Sequence, residues 1–82
     1  MLGKDVYKRA FKKILKPGWK ITEFEFFREI LEENLPGYHT YRYRVMIENK
    51  KEGRKEAYFV DFEVSPSNEV RIISVERIGS WG

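Results

Sequence analysis

Few side chains in this sequence have the types and spacing for chemistry. There is one histidine, His39, and no cysteine, so a zinc-type site has no ligand set. His39 follows the Pro36-Gly37 turn with no carboxylate at a fixed spacing, and it reads as a surface polar residue. Asp61 and Glu63 stand two apart in "AYFVDFEV", on one face of a strand, where two carboxylates can act as an acid/base pair or hold a cation. Arg42, Arg44 and Arg71 are expected across from them, and cross-strand ion pairing accounts for the same residues without an active site. A Gly-rich dinucleotide loop, a P-loop and a nucleophile-elbow serine are all missing from the sequence. Tyr58, Ser74 and Glu76 are the remaining candidates: if the third strand keeps its register, they line a small-molecule pocket between helices and sheet. No catalytic residue, cofactor or metal is assigned, and the expectation is a protein that is not an enzyme.

Composition narrows the class. The chain has 82 residues, 41% hydrophobic and 35% charged, which suits one domain with a packed core and a wetted surface. Without cysteine a disulfide scaffold is excluded, and no apolar run approaches the ~20 residues of a membrane span. No targeting segment is recognised, so localisation is left open. A net charge of +3 is a small imbalance. Its basic residues do cluster, at Lys8, Arg9, Lys12, Lys13 and Lys16 in one segment and at Lys50, Lys51, Arg54 and Lys55 in another. That pattern keeps nucleic-acid binding as the alternative function. Against it, Glu23, Glu25, Glu29, Glu32 and Glu33 in the next segment offset the first cluster, and the aromatic residues alternate inward rather than forming a stacking platform.

The elements that must position these residues follow from periodicity. "KDVYKRAFKKILK" places Val6, Tyr7, Ala10, Phe11, Ile14 and Leu15 on one stripe and its cations on the other, predicting a helix capped by Asp5 and ended before Pro17. "ITEFEFFREILEENLPGY" opens with Thr22 and Glu25, a capping box, and with Ile21 and Phe26 as a staple. Phe24, Phe27, Ile30 and Leu31 continue an apolar face, which predicts a second helix closed by Pro36-Gly37. From Tyr38 the period becomes two. Tyr41, Tyr43, Val45 and Ile47 form the inner face of one strand, and Tyr58, Val60, Phe62 and Val64 that of the next. A two-residue turn at Glu52-Gly53 predicts Ile47 opposite Tyr58, Val45 opposite Val60, Tyr43 opposite Phe62 and Tyr41 opposite Val64. It also sets Arg44 against Asp61 and Arg42 against Glu63. "SPSNE" predicts a bulged hairpin loop with Asn68 left-handed, then Val70 opposite Val64, Ile72 opposite Phe62 and Arg71 beside Glu63. Beyond Ile72 two readings stay open: a bulge near Ile73 that exchanges the faces, or a straight run that turns Ile73 and Val75 outward.

The expected fold is thus α+β, two N-terminal helices packed on a three-stranded antiparallel curved meander (ααβββ). Residues 1–78 form one domain. Gly79, Ser80, Trp81 and Gly82 belong to no pattern and read as an appended tail 79–82. The order of elements resembles half of a cystatin-like or nuclear-transport-factor-like fold, with helices in the concave side of a curved sheet. Where cystatins carry their inhibitory hairpins this chain has "KKEGRKE" and "SPSNE", so protease inhibition is not implied. The agreement of caps, turns and charge pattern resembles de novo designed curved-sheet proteins, which implies a scaffold with no natural activity. The outer sheet face carries Met46, Ala57, Phe59, Ile73 and Val75, with Met46 and Val75 expected on either side of Phe59. Both helices are claimed by the other face, so a homodimer packed through this cluster is expected.

Overall fold

The computed structural model describes residues 2–82. One short helix, α1 (Lys4–Lys12), precedes four strands: β1 (Lys20–Ile30), β2 (His39–Asn49), β3 (Arg54–Val64) and β4 (Val70–Trp81). The strands form one antiparallel sheet in the order β1-β2-β3-β4. The protein is therefore mostly β, and the expected pair of helices on three strands is replaced by one helix on four. The whole measures 44 × 20 × 16 Å, and no helix is long and apolar enough to cross a membrane.

The expected second helix is β1. Phe24 and Phe26 alternate with Glu23 and Glu25 opposite Val45, Tyr43, Met46 and Arg44 of β2. The pairing is interrupted between Ile21 and Glu23 and again between Phe26 and Arg28, so Thr22 and Phe27 are extra residues. Each bulge resets the two-residue period by one. Apolar residues at 21, 24, 27 and 30 therefore imitate helical spacing while lying on a bent strand. Thr22 caps nothing, and its hydroxyl donates to the Met46 carbonyl at 3.3 Å. The Ile30 end is tied down by Asn34, which donates to the Ile30 carbonyl at 2.6 Å and accepts from the Thr40 hydroxyl at 2.8 Å.

Helix α1 is shorter than its periodicity. Its N-cap is Gly3, with no side-chain cap, and Asp5 lies in the first turn. After Lys12 the backbone tightens into three-residue turns, Ile14 N to Phe11 O and Leu15 N to Lys12 O, and Gly18 reverses the chain at φ 85°. Tyr7 and Phe11 are buried, whereas Ile14 is half-exposed. The core pairs them with Phe24, then Tyr43, Val45 and Ile47 of β2 and Val60, Phe62 and Val64 of β3. Within it the Tyr7 ring lies 5.0 Å from Tyr43 and 5.3 Å from Phe62, and Phe24 lies 4.9 Å from Tyr43. Burying these rings supplies the main stabilisation available to a fold of this size.

The β2–β3 hairpin keeps its expected faces but slides by two residues. Its turn is Lys50–Gly53, four residues rather than two, with Gly53 at φ 64° and Asn49 Oδ1 accepting from the Glu52 N–H. Both lengths are even, so no side chain changes face. Val45 meets Tyr58, Tyr43 meets Val60 and Tyr41 meets Phe62. Arg42, not Arg44, stands opposite Asp61, and Glu63 is opposite Thr40. The β3–β4 hairpin has its expected register, Val64 with Val70, Phe62 with Ile72 and Glu63 with Arg71, and Asn68 is left-handed at φ 65°. Of the two readings beyond Ile72, the bulge is present: Ile73 is the extra residue, and a second bulge follows at Ile78. With those two bulges β4 runs on through Gly79, Ser80 and Trp81, opposite Ala57, Glu56 and Lys55, so residues 79–81 are part of the sheet. A Cβ on Gly79 would stand 2.7 Å from the Trp81 ring, so Trp81 lies over the backbone of Gly79.

Candidate functional site

The helix covers one face of the sheet; among the described residues no helix or strand packs on the other. One end of that other face meets the β1–β2 connection, where Thr40 donates to Asn34 and Leu35 and Tyr38 lie beside Glu63 and Arg71. On the open face the strands bring Glu23, Glu25 and Arg28 of β1 beside Arg42, Arg44 and Met46 of β2. Those in turn stand beside Ala57, Phe59 and Asp61 of β3, with Ser74 and Glu76 of β4 at the far side. Phe59 lies between Arg44 and Glu76 on this face, and its ring lies 4.8 Å from that of Phe27. Phe27, half-exposed at 51%, reaches this face because it is the extra residue of a β1 bulge. A helical reading of β1 could not place it there, although the run "EFEFFRE" carries the period-two signal. The Arg42 guanidinium stands 5.4 Å from the Phe59 ring centroid and donates to both Asp61 oxygens, at 2.8 and 3.1 Å. That bidentate bond holds the Arg42 pKa above its ordinary value. Arg44 pairs with Glu23 at 3.1 Å and Arg71 with Glu63 at 3.0 Å.

The expected cluster is brought together only in part. Met46, Ala57 and Phe59 share the open face, but Met46 is opposite Ala57, and Phe59 is opposite Glu76 and Arg44. Val75 stands opposite Val60 and belongs to the helix side, because the bulge at Ile73 exchanges the faces of β4. Ile73 is the bulge residue itself. The expected pocket lining is dispersed by the same bulge. Tyr58 stays on the helix side, while Ser74 and Glu76 face the opposite way across from Asp61 and Phe59. Asp61 and Glu63 are the ion-pair partners of Arg42 and Arg71, and His39 Nδ1 lies 3.2 Å from Glu29 Oε2.

A second charged constellation, absent from the sequence reading, lies on the helix side. Glu56 is 3% exposed and accepts a 2.6 Å hydrogen bond from the Tyr58 hydroxyl. Lys16, Arg54 and Arg77 approach it at 3.7, 3.7 and 3.6 Å. The Tyr58 hydrogen bond, helped by the three cations and opposed by burial, holds the carboxyl below the usual Glu range. A carboxylate so stabilised is a poor proton carrier at neutral pH, and its geometry suits a clamp joining β3 to β4 and to the segment after α1. The signal for it in the sequence was a charge on the apolar face of β3, one step from Tyr58 in the same alternation. Among the described residues no three of His, Cys, Asp or Glu are grouped to hold a metal ion.

At the tip of the β2–β3 hairpin, Trp81 lines one recess with Glu48, Lys50, Gly53 and Lys55, so the second basic cluster includes a half-exposed aromatic ring. Lys8, Arg9 and Lys12 of the first cluster lie along α1 beside Asp5. Comparison with known protein families, with curated proteins and with solved structures finds no match to this chain.

Proposed function

We propose that this chain is a non-enzymatic structural scaffold of designed origin that pairs with a second copy of itself through the open face of its sheet. The observation that carries the reading is the Phe27–Phe59 pair, 4.8 Å between ring centroids, on a face that no helix or strand covers among the described residues. Around it Glu23–Arg44, Arg42–Asp61 and Glu63–Arg71 alternate in sign. An apolar centre within a rim of both charges is self-complementary under a two-fold axis, the commonest closed symmetry. The turn residues Gly37, Gly53 and Asn68, all left-handed where the chain reverses, support an idealised sequence; Thr22 and Glu25, which lie in a strand, do not. Solution mass at about 100 µM tests the pairing, since an interface of standard size holds well below that concentration. A dimer is expected, and Phe59→Lys is expected to give a folded monomer. A monomeric parent ends the proposal, and a dimer that survives Phe59→Lys uses another surface.

A second reading has one observation in its favour. Trp81 beside Lys50 and Lys55 is the pairing of an aromatic ring with cations that single-stranded nucleic acid stacks on. Binding of a labelled oligonucleotide that weakens steeply with salt and disappears in Trp81→Ala supports it; equal weak binding by both proteins excludes it.

A further inference from the structure

The charged pairs around the open face are matched one to one. Arg42 with Asp61, Arg44 with Glu23 and Arg71 with Glu63 approach to 2.8, 3.1 and 3.0 Å. Glu56, on the helix side, differs from them, because three cations share its one carboxylate. Lys16 Nζ lies 3.7 Å from its Oε1, and Arg54 Nη2 and Arg77 Nη1 lie 3.7 and 3.6 Å from its Oε2. At these separations none of the three makes a hydrogen bond to the carboxylate, whose short contact is with the Tyr58 hydroxyl at 2.6 Å. The carboxylate is buried while each cationic side chain is about half-exposed, so the cations form the solvent side of the cluster. Ser80 stands opposite Glu56 on β4, and its exposed hydroxyl accepts from Arg54 Nη2 at 3.2 Å, which leaves its own proton to give. A buried carboxylate needs a counter-charge, but one negative charge balances only one of the three positive ones and leaves two.

We propose that Lys16, Arg54 and Arg77, gathered around Glu56, form a binding site for a small phosphate monoester. Its dianion supplies the two negative charges that the cluster lacks. The donors have the chemistry for it: a guanidinium meets phosphate oxygens with paired N–H groups, and an ammonium adds a point charge with three donors. Two of the cations converge on one carboxylate oxygen and the third on the other, so a tetrahedral anion on their solvent side can face all three. The cations stand between the buried carboxylate and the anion, which limits the repulsion between those two. Half-exposed cations are screened by water and salt, so the affinity is modest. The cluster lies on the helix side of the sheet, and the site stands or falls separately from pairing through the open face.

Methyl phosphate is the probe, at about pH 7.5, where it is a dianion, with dimethyl phosphate as the singly charged diester of similar shape. Binding is followed by backbone amide shifts in the intact protein at low, constant ionic strength. Methyl phosphate is expected to shift Lys16, Arg54, Arg77 and Ser80 with a dissociation constant of about 1–10 mM, and dimethyl phosphate to bind several-fold more weakly. Arg54→Gln and Arg77→Gln, at exposed positions, leave Glu56 two cations and so keep the fold. Each is expected to weaken methyl phosphate about fivefold. Lys13→Gln removes the same charge from an exposed position on the segment that carries Lys16 and is expected to change binding by less than about twofold. Four results overturn the proposal: no saturable shift at these residues up to about 50 mM methyl phosphate, dimethyl phosphate binding as tightly, undiminished binding by both arginine variants, or Lys13→Gln weakening it as much as they do. The last of these means that net charge alone draws the anion.

Discussion

Two buried polar groups lie on the helix side of the same sheet, at opposite ends of the core, and they are treated in opposite ways. Glu56 has the Tyr58 hydroxyl at 2.6 Å and three cations within 3.7 Å. Tyr7, packed against Tyr41, Tyr43 and Phe62, has no partner for its hydroxyl among the described residues. A satisfied buried group fixes the elements that supply its partners, and here those are β3, β4 and the segment after α1. An unsatisfied one fixes nothing and is a net loss to the fold. Polar chemistry ties one end of the core together and contributes no such tie at the other.

The largest expected effect comes from the ring between the two ends. Phe62 is fully buried and touches Tyr7, Phe24 and Tyr43. Phe62→Ala is expected to cost about 3–5 kcal/mol in a denaturant titration, from lost burial and the cavity left behind. The space it opens lies beside Tyr7, and the Glu56 carboxyl is expected to keep its lowered pKa. A variant as stable as the parent would mean that the rings are not the centre of the core.

How much of this was legible depends on where the strand period survives. In β2 and β3 it survives over eleven residues each, and the buried set Tyr43, Val45, Val60, Phe62 and Val64 was readable from alternation alone. The register was not, because a two-residue and a four-residue turn both preserve the faces, and only the geometry at Asn49 and Gly53 separates them. In β1 and β4 bulges interrupt the period. At Thr22 and Phe27 they turned a strand into an apparent helix; at Ile73 and Ile78 they moved Val75 to the helix side and hid the pairing of Gly79 and Trp81. The open face was therefore drawn around Phe59, with Val75 included in error and Phe27 missing. The Glu56 clamp went unseen for a different reason: its partners Lys16, Arg54, Tyr58 and Arg77 come from three parts of the chain that only the folded sheet brings together.

The next effect is at the Glu56 end. Glu56→Gln keeps the shape and lets Tyr58 donate to the amide oxygen, but it removes the charge shared by Lys16, Arg54 and Arg77. A loss of about 1–3 kcal/mol at pH 7 is expected. The sign of its pH dependence follows from the depressed folded pKa. The unfolded carboxyl takes up its proton near the ordinary 4.5, the folded one only lower. The stabilisation is therefore complete above the ordinary value and is lost as pH falls through the folded one. The margin of the parent over Glu56→Gln should shrink as unfolding is measured from pH 6 down to about pH 3. A margin independent of pH would mean that the carboxylate is not stabilised by its neighbours.

The smallest effect, opposite in sign, is at Tyr7. Tyr7→Phe deletes a hydroxyl that has no partner among the described residues and is expected to raise stability at neutral pH by up to about 1 kcal/mol. The gain should then grow in alkali. Unfolded tyrosine releases its proton near 10.0, whereas in the fold Tyr7 holds it to about 12. Across that window the native state carries the extra proton, so raising the pH draws the parent toward the unfolded state, by at most about 1.4 kcal/mol per pH unit for this one group. Phenylalanine has no proton to lose. Tyr41, Tyr43 and Tyr58, also raised, remain in both proteins and cancel in the difference. Urea unfolding of parent and variant at pH 7, 10 and about 11.5 measures it. A Tyr7→Phe protein less stable than the parent at pH 7 would show that the hydroxyl is partnered after all, and that the two ends of the core are alike.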